Sequence, residues 1–268
     1  MRRLLYPARS TFAVALLAGV LAACSSTPKY DDKDSAEKLY ADARDDMSSG
    51  SYDRAIKTLE KVEGRAAGTL LAQQAQLELA YAYWKTGERA QAQSTLDRFI
   101  KLHPSSPALD YAMYLKGMVH FNDNLGILSS ISRQDISERD QQASRDAYQA
   151  FKQLVDQFPN SKYTADARVR MDYIVNALAN YELHVARYYF RRGAYVAAAN
   201  RAQQAVQEFQ QSPSAEEALF IMVQSYEQLG LMELRDDADR VLNRNFPNTT
   251  LYQDGVGGKK KGRWWQLW

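Results

Sequence analysis

Four glycines of this chain stand in one register, and that register limits the fold more than any other feature. Gly50, Gly87, Gly193 and Gly230 each interrupt two helical runs, as in "SSGSYDRAIKTLEKV", "KTGERAQAQSTLDRFIKLHP" and "RRGAYVAAANRAQQAV". Seven positions before them stand Ala43, Ala80, Ala186 and Val223, and five positions after the first three stand Ala55, Ala92 and Ala198. Helices that close on one another need small side chains where they cross, and the turn between them needs a residue that accepts positive φ. Such a unit cannot bury its apolar face alone, so its repetition predicts stacked helical hairpins rather than a single globule.

The unit resembles the tetratricopeptide repeat, a helix–turn–helix of about 34 residues. The second copy has Leu79, Ala80, Tyr83, Gly87, Ala92, Leu96, Phe99 and Pro104 all in place, and the first has Leu39, Ala43, Gly50, Tyr52, Ala55, Leu59 and Val62. The third has Gly117 at the crossing and Asn124 at the turn, then resumes with Ala147, Phe151, Leu154 and Pro159. Gly87 to Pro104 spans 17 positions and Asn124 to Pro159 spans 35, so about 18 residues, within "LGILSSISRQDISERDQQ", are inserted at that turn. The fourth copy carries Ala186, Tyr189, Gly193, Tyr195 and Ala198. The fifth keeps Tyr226, Gly230 and Pro247 but has Arg235 in place of alanine, as a terminal, capping repeat does.

Between Ser161 and Arg192 there is no glycine or proline, which predicts one long helix over Tyr163–Phe190, or two nearly collinear ones. Ser106-Pro107 reads as a cap followed by proline in the first turn, and Ser214 with Glu217 as a capping box. No stretch alternates as a strand does. The expected fold is all-α: a tetratricopeptide-repeat superhelix of about five helix–turn–helix repeats, in two halves joined by a long helix.

Cys24 is the only cysteine in 268 residues, and it follows an apolar run of about 13 residues that starts after Arg2, Arg3 and Arg9. A membrane-spanning helix needs roughly 20, so the run reads as an export signal. Leu21-Ala22-Ala23-Cys24 resembles the bacterial lipobox. The resemblance implies a thioether-linked diacylglycerol and an N-acyl chain on Cys24, with no other cofactor. Several acyl chains, at roughly 0.8 kcal/mol per buried methylene, make such an anchor effectively permanent. Ser25 after the cysteine implies sorting to the outer membrane. The expected division is a lipoprotein signal peptide at 1–23, a lipidated tether at 24–33, repeats 1–3 at 34–160, the linking helix with repeats 4–5 at 161–250, and a flexible basic, tryptophan-rich tail at 251–268. Beyond Cys24, 31 basic side chains meet 32 acidic ones, so the body offers no electrostatic reason to bind nucleic acid.

No catalytic or metal site is expected. His103, His120 and His184 are far apart, and no His-x-x-x-His or Cys–His spacing occurs. Ser35-Ala36-Glu37-Lys38 imitates a serine–lysine tetrad, but the serine opens a helix, where capping is its ordinary use. In tetratricopeptide arrays the first helices line the concave face. By the register these positions are Tyr40 and Arg44 in repeat 1, Leu77, Tyr81, Trp84 and Lys85 in repeat 2, and Tyr111, Tyr114, Met118 and Phe121 in repeat 3. Together they suit an extended peptide bearing aromatic side chains and a carboxylate.

Anchor, insert, long helix and repeat count together resemble the BamD (ComL) family of outer-membrane lipoproteins, subunits of the β-barrel assembly machinery. "AQLELAYAYWKTGE", "LDRFIKLHPSSPALDYAMYLKGM", "FPNSKYTADA" and "VARYYFRRGAYVAAANRAQQ" read like that family's segments over roughly residues 35–250. The resemblance implies a non-enzymatic scaffold on the periplasmic face of the outer membrane. It implies contact with the periplasmic region of the barrel-forming BamA subunit and with the other lipoproteins, and recognition of unfolded outer-membrane proteins. It points to Arg201 as the BamA contact, with Arg191 and Arg192 as weaker candidates. Arg201 lies off the packed stripe of its helix, so its exchange for glutamate is expected to spare helicity. Where the family usually has Tyr-Pro-Phe-Gly between repeats 1 and 2, this chain has Arg65-Ala66-Ala67-Gly68, and no role of that turn carries over. In the tail, Lys259, Lys260, Lys261, Arg263, Trp264, Trp265 and Trp268 suit a lipid headgroup region or a partner groove. The alternative reading is another periplasmic tetratricopeptide lipoprotein, coordinating cell-wall synthesis or division.

Overall fold

The computed structural model describes residues 35–121 and 138–257. The signal, Cys24, the tether, most of the insert and the Lys/Trp run of the tail lie outside the described residues. Those described form eleven helices and no strand: α1 Ala36–Ser48, α2 Tyr52–Arg65, α3 Leu70–Lys85, α4 Arg89–Leu102, α5 Leu109–His120, α6 Glu138–Gln157, α7 Thr164–Arg191, α8 Tyr195–Glu208, α9 Ser214–Gln228, α10 Met232–Asn245 and α11 Leu251–Asp254.

The repeated turn has one construction throughout. Gly50 has φ +75°. Its own N–H reaches the Met47 carbonyl, and the next N–H, of Ser51, reaches the Asp46 carbonyl at 2.8 Å. This paired closure satisfies carbonyls that the helix end would otherwise orphan, and it requires a left-handed residue at the glycine. Glu88 to Tyr83, Ala194 to Tyr189 and Leu231 to Tyr226 repeat the longer bond after the other three glycines. The small residues that the register singled out are buried: Ala43, Ala80, Ala186, Ala55, Ala92 and Ala198 are fully enclosed and Val223 nearly so.

Neighbouring helices pack antiparallel in sequence order, and the core runs as a chain of clusters along the array. Leu39, Leu59 and Val62 join α1–α3, and Leu96, Phe99 and Leu115 join α3–α5. Each such side chain contributes roughly 1.5–3 kcal/mol by leaving water. In repeat 3 the crossing is close. A Cβ on Gly117 would stand 2.4 Å from the Phe151 ring, which is itself fully buried.

The long segment is one continuous 28-residue helix, α7. Its first half shares a core with α5 and α6 through Phe151, Leu154, Ile174 and Leu178, with Phe209 after α8 closing the same cluster. Its second half packs through Leu183 and Ala186 on Ala198, Ala202 and Ile221 of α8 and α9. α7 thus carries the superhelix across from repeat 3 to repeat 4.

Ser35 caps α1 as expected, its Oγ accepting from Lys38 N–H at 3.2 Å. Two other starts differ. After Ser106-Pro107 the chain makes a turn, and α5 begins only at Leu109; Ser106 closes that turn by accepting from Leu109 N–H through its carbonyl. The capping box at Ser214 and Glu217 does not form. Ser214 is already helical, Ser212 Oγ accepts its N–H, and the Glu217 carboxylate is engaged by Arg187 of α7 and by Gly257. A half-buried guanidinium that binds through two nitrogens is a stronger claim on a carboxylate than a helix-end amide.

Candidate functional site: the inner face of the first helices

α1, α3, α5, α7 and α9 are the first helices of the hairpins, and polar bridges and ring contacts tie neighbouring members together. Between α1 and α3, Tyr40 Oη donates to Glu78 Oε1 at 2.8 Å and Arg44 Nη1 donates to the same oxygen at 2.9 Å. Burial, then this bond to a carboxylate, raise the Tyr40 phenol. Glu78 Oε2 is buried and has no hydrogen-bond partner among the described residues. Arg44, Met47, Tyr52, Glu78, Tyr81 and Tyr111 line an open recess of about 360 Å³ here.

Beside that recess Tyr81 meets Trp84 edge-on at 5.6 Å and Tyr52 at 6.3 Å. The Lys85 ammonium lies 5.6 Å from the Trp84 ring and 6.0 Å from those of Tyr52 and Tyr81. It therefore sits over three π-faces, a geometry that holds a cation in place by the ring quadrupoles. The Tyr111 phenol, raised by burial to about 12, stays neutral throughout the physiological range.

Between α5 and α7 the strip continues. Tyr114 stacks on Tyr163 at 4.8 Å, and its hydroxyl donates to Asp166 Oδ2 at 2.7 Å. Burial pushes the Asp166 carboxyl up, but bonds from Arg170 and Tyr114 outweigh it and hold the group below its ordinary value. The Arg170 guanidinium lies 4.8 Å over the Phe121 ring, and Phe121 meets Tyr173 edge-on at 5.7 Å. Further along, Arg187 grips Glu217 of α9 through both Nε and Nη2.

The register therefore places Tyr40, Arg44, Tyr81, Trp84, Lys85, Tyr111, Tyr114 and Phe121 on one continuous face. Leu77 stands apart: at 7 % exposure it belongs to the core with Ala92 and Leu96, supporting the strip from behind. Met118 is half-buried between two core clusters. Sequence reasoning missed Tyr52, Glu78, Tyr163, Asp166, Arg170 and Tyr173. Of these only Asp166 and Arg170 left a signal, an opposite-charge pair at i,i+4.

Arg201 has an intramolecular partner. Its Nη1 lies 3.2 Å from Glu182 Oε2, whose side chain is 3 % exposed, while Arg201 itself is 43 % exposed. The position is off the fully buried stripe, but the head group compensates a buried carboxylate. Its exchange for glutamate would set two carboxylates face to face, at a cost in stability. Arg191 and Arg192, at the turn of repeat 4, are exposed, and Arg192 lies 5.4 Å over the Tyr188 ring.

A helical array whose polar and aromatic chemistry is spread along an inner face is a binding scaffold. Comparison with known proteins agrees on the class and narrows it. The YfiO family profile, described as "Outer membrane lipoprotein", matches residues 32–242. A Neisseria meningitidis relative named outer membrane protein assembly factor BamD is 46% identical over 234 residues, covering 87% of this chain and 87% of that protein. Relatives of the same name from Vibrio cholerae and Haemophilus influenzae are 32% and 33% identical, over 88% and 89% of this chain and 98% and 91% of theirs. The chain belongs to the BamD (YfiO) family of outer-membrane lipoproteins, whose members are scaffolds or adaptors rather than enzymes. Among solved structures a MamA protein matches at 18% identity, over 78% of this chain and 88% of that one, with a TM-score of 0.36, a likeness too distant to bear on fold or function. No helix among the described residues is long and apolar enough to cross a membrane.

Proposed function

We propose that this chain is the repeat scaffold of the outer-membrane β-barrel assembly machinery, held at the periplasmic face by lipid on Cys24. Near full-length identity to relatives named outer membrane protein assembly factor is the observation that carries the reading. In this reading the inner strip takes extended, aromatic-ended segments of unfolded outer-membrane proteins. Tyr81, Trp84 and Tyr114 supply ring faces, Lys85 a cation held over rings, and Glu78 Oε2 an acceptor for a backbone amide. The Arg201 side of α8, with Arg191 and Arg192, faces the periplasmic region of BamA, and the other lipoproteins of the machinery complete the assembly.

The test has two arms. Affinity capture of the lipidated protein from solubilised outer membrane should bring down BamA; peptidoglycan enzymes without BamA would overturn the reading. Trp84→Ala and Tyr114→Ala should each weaken binding of an aromatic-ended peptide by roughly 1–3 kcal/mol if they act as hot spots. Unchanged affinity in a double variant of native helicity would remove the groove assignment.

A further inference from the structure

The polypeptide does not leave the array at its open end. After α10 it turns back through α11, where the Tyr252 ring meets Phe220 edge-on at 5.3 Å. Val256 then packs against both C-terminal core clusters, and Gly257 N–H donates to Glu217 Oε1 at 2.8 Å. Glu217 is the carboxylate that Arg187 grips. The last described residue is therefore pinned on the seam between α7 and α9, both first helices.

The next eleven residues read "GKKKGRWWQLW". An extended chain covers about 3.3–3.6 Å per residue, so Trp264 lies within ~25 Å of Gly257 and Trp268 within ~40 Å. Along α7, at about 1.5 Å per residue, Tyr173 lies ~21 Å from Arg187 and Tyr163 ~36 Å. The two ranges coincide, and what lies between them is aromatic: Tyr173 against Phe121, Arg170 over Phe121, and Tyr163 against Tyr114.

We propose that Trp264, Trp265 and Trp268 dock in cis on this strip, the half of the inner face built by α5 and the first half of α7. Tryptophan rings offer edges and faces to tyrosine and phenylalanine rings, and a guanidinium such as that of Arg170 attracts a tryptophan face. Tethering through so few residues sets a millimolar effective concentration, so a contact weak in solution is populated in the intact chain. Docking of the tail holds whether or not the inner face also takes a client.

The experiment uses the full chain carrying Cys24→Ser, with Gln266→Cys paired either to Ala177→Cys, one helical turn beyond Tyr173, or to Gln149→Cys on the exposed side of α6. Under mild oxidation the Ala177 pair should form an intramolecular disulfide about tenfold faster than the Gln149 pair, because docking raises its effective concentration. The advantage should vanish when Trp264, Trp265 and Trp268 are all alanine. Equal rates for the two pairs would overturn the proposal. A preferential disulfide that joins two chains, read as a dimer on a non-reducing gel, would overturn docking in cis and assign the strip to a second copy.

Discussion

Replacing Arg201 by alanine strands a carboxylate. Glu182 is almost fully enclosed, and Arg201 Nη1 is 3.2 Å away. At that separation two unit charges attract by about 5 kcal/mol at an effective dielectric of 20. The Arg201 head group is 43 % exposed, and solvent screening removes roughly half of this. The expected loss is therefore about 2–3 kcal/mol, slightly under the range for fully buried pairs that lose one partner. It is a large share of the 5–15 kcal/mol that stabilises an ordinary domain. Urea unfolding followed by circular dichroism measures it on Arg201→Ala, Glu182→Gln and the double variant. The double variant should regain most of the loss, since a neutral amide tolerates burial better than an unpaired carboxylate. Arg201→Glu should be worse than Arg201→Ala. The reasoning fails if Arg201→Ala stays within about 0.5 kcal/mol of the parent, the range of an ordinary surface change. The double variant also separates fold from contact: if it is stable and still loses BamA, the arginine acts at the interface as well.

Gly117→Ala should destabilise by about 1–2 kcal/mol: helix propensity favours alanine by ~1 kcal/mol, but its Cβ meets the buried Phe151 ring at 2.4 Å and overpacking costs more. A rise in thermal midpoint would show that the ring yields freely. Cys24→Ala should abolish labelled-palmitate incorporation, and equal labelling of parent and variant would remove the anchor. His120 is held below its ordinary pKa by burial, beside Asp146, Lys116, Asp97 and Arg89. The folded state then binds fewer protons than the unfolded one, so stability is full above about pH 6.5 and falls as pH drops towards the folded pKa. His120→Gln should flatten that part of the stability–pH curve; an unchanged slope would exclude His120 as its source.

The repeat architecture was readable from the chain because its requirements are local. A left-handed turn residue and an enclosed small residue seven positions earlier sit within one hairpin, and nothing distant alters what Gly50 or Ala43 must be. The same locality made α7 legible from an unbroken helical run, and Ser35 legible as a cap. Side chains that join one helix to another were not legible. Arg44, Lys85 and Arg201 look alike in sequence, as cations on amphipathic helices. Only the stacking of the array places Arg44 on Glu78, 34 residues away; only the packing of α8 on α7 within repeat 4 places Arg201 on Glu182, 19 residues away, and Lys85 is left over three rings. Glu217 shows the competition most directly, since its spacing from Ser214 favoured a local cap and Arg187 claimed it across the superhelix. The hairpin and its repetition follow from the residues alone. Which charges remain available on the inner face was decided by tertiary structure, because the angle and offset between successive hairpins set what each long side chain can reach.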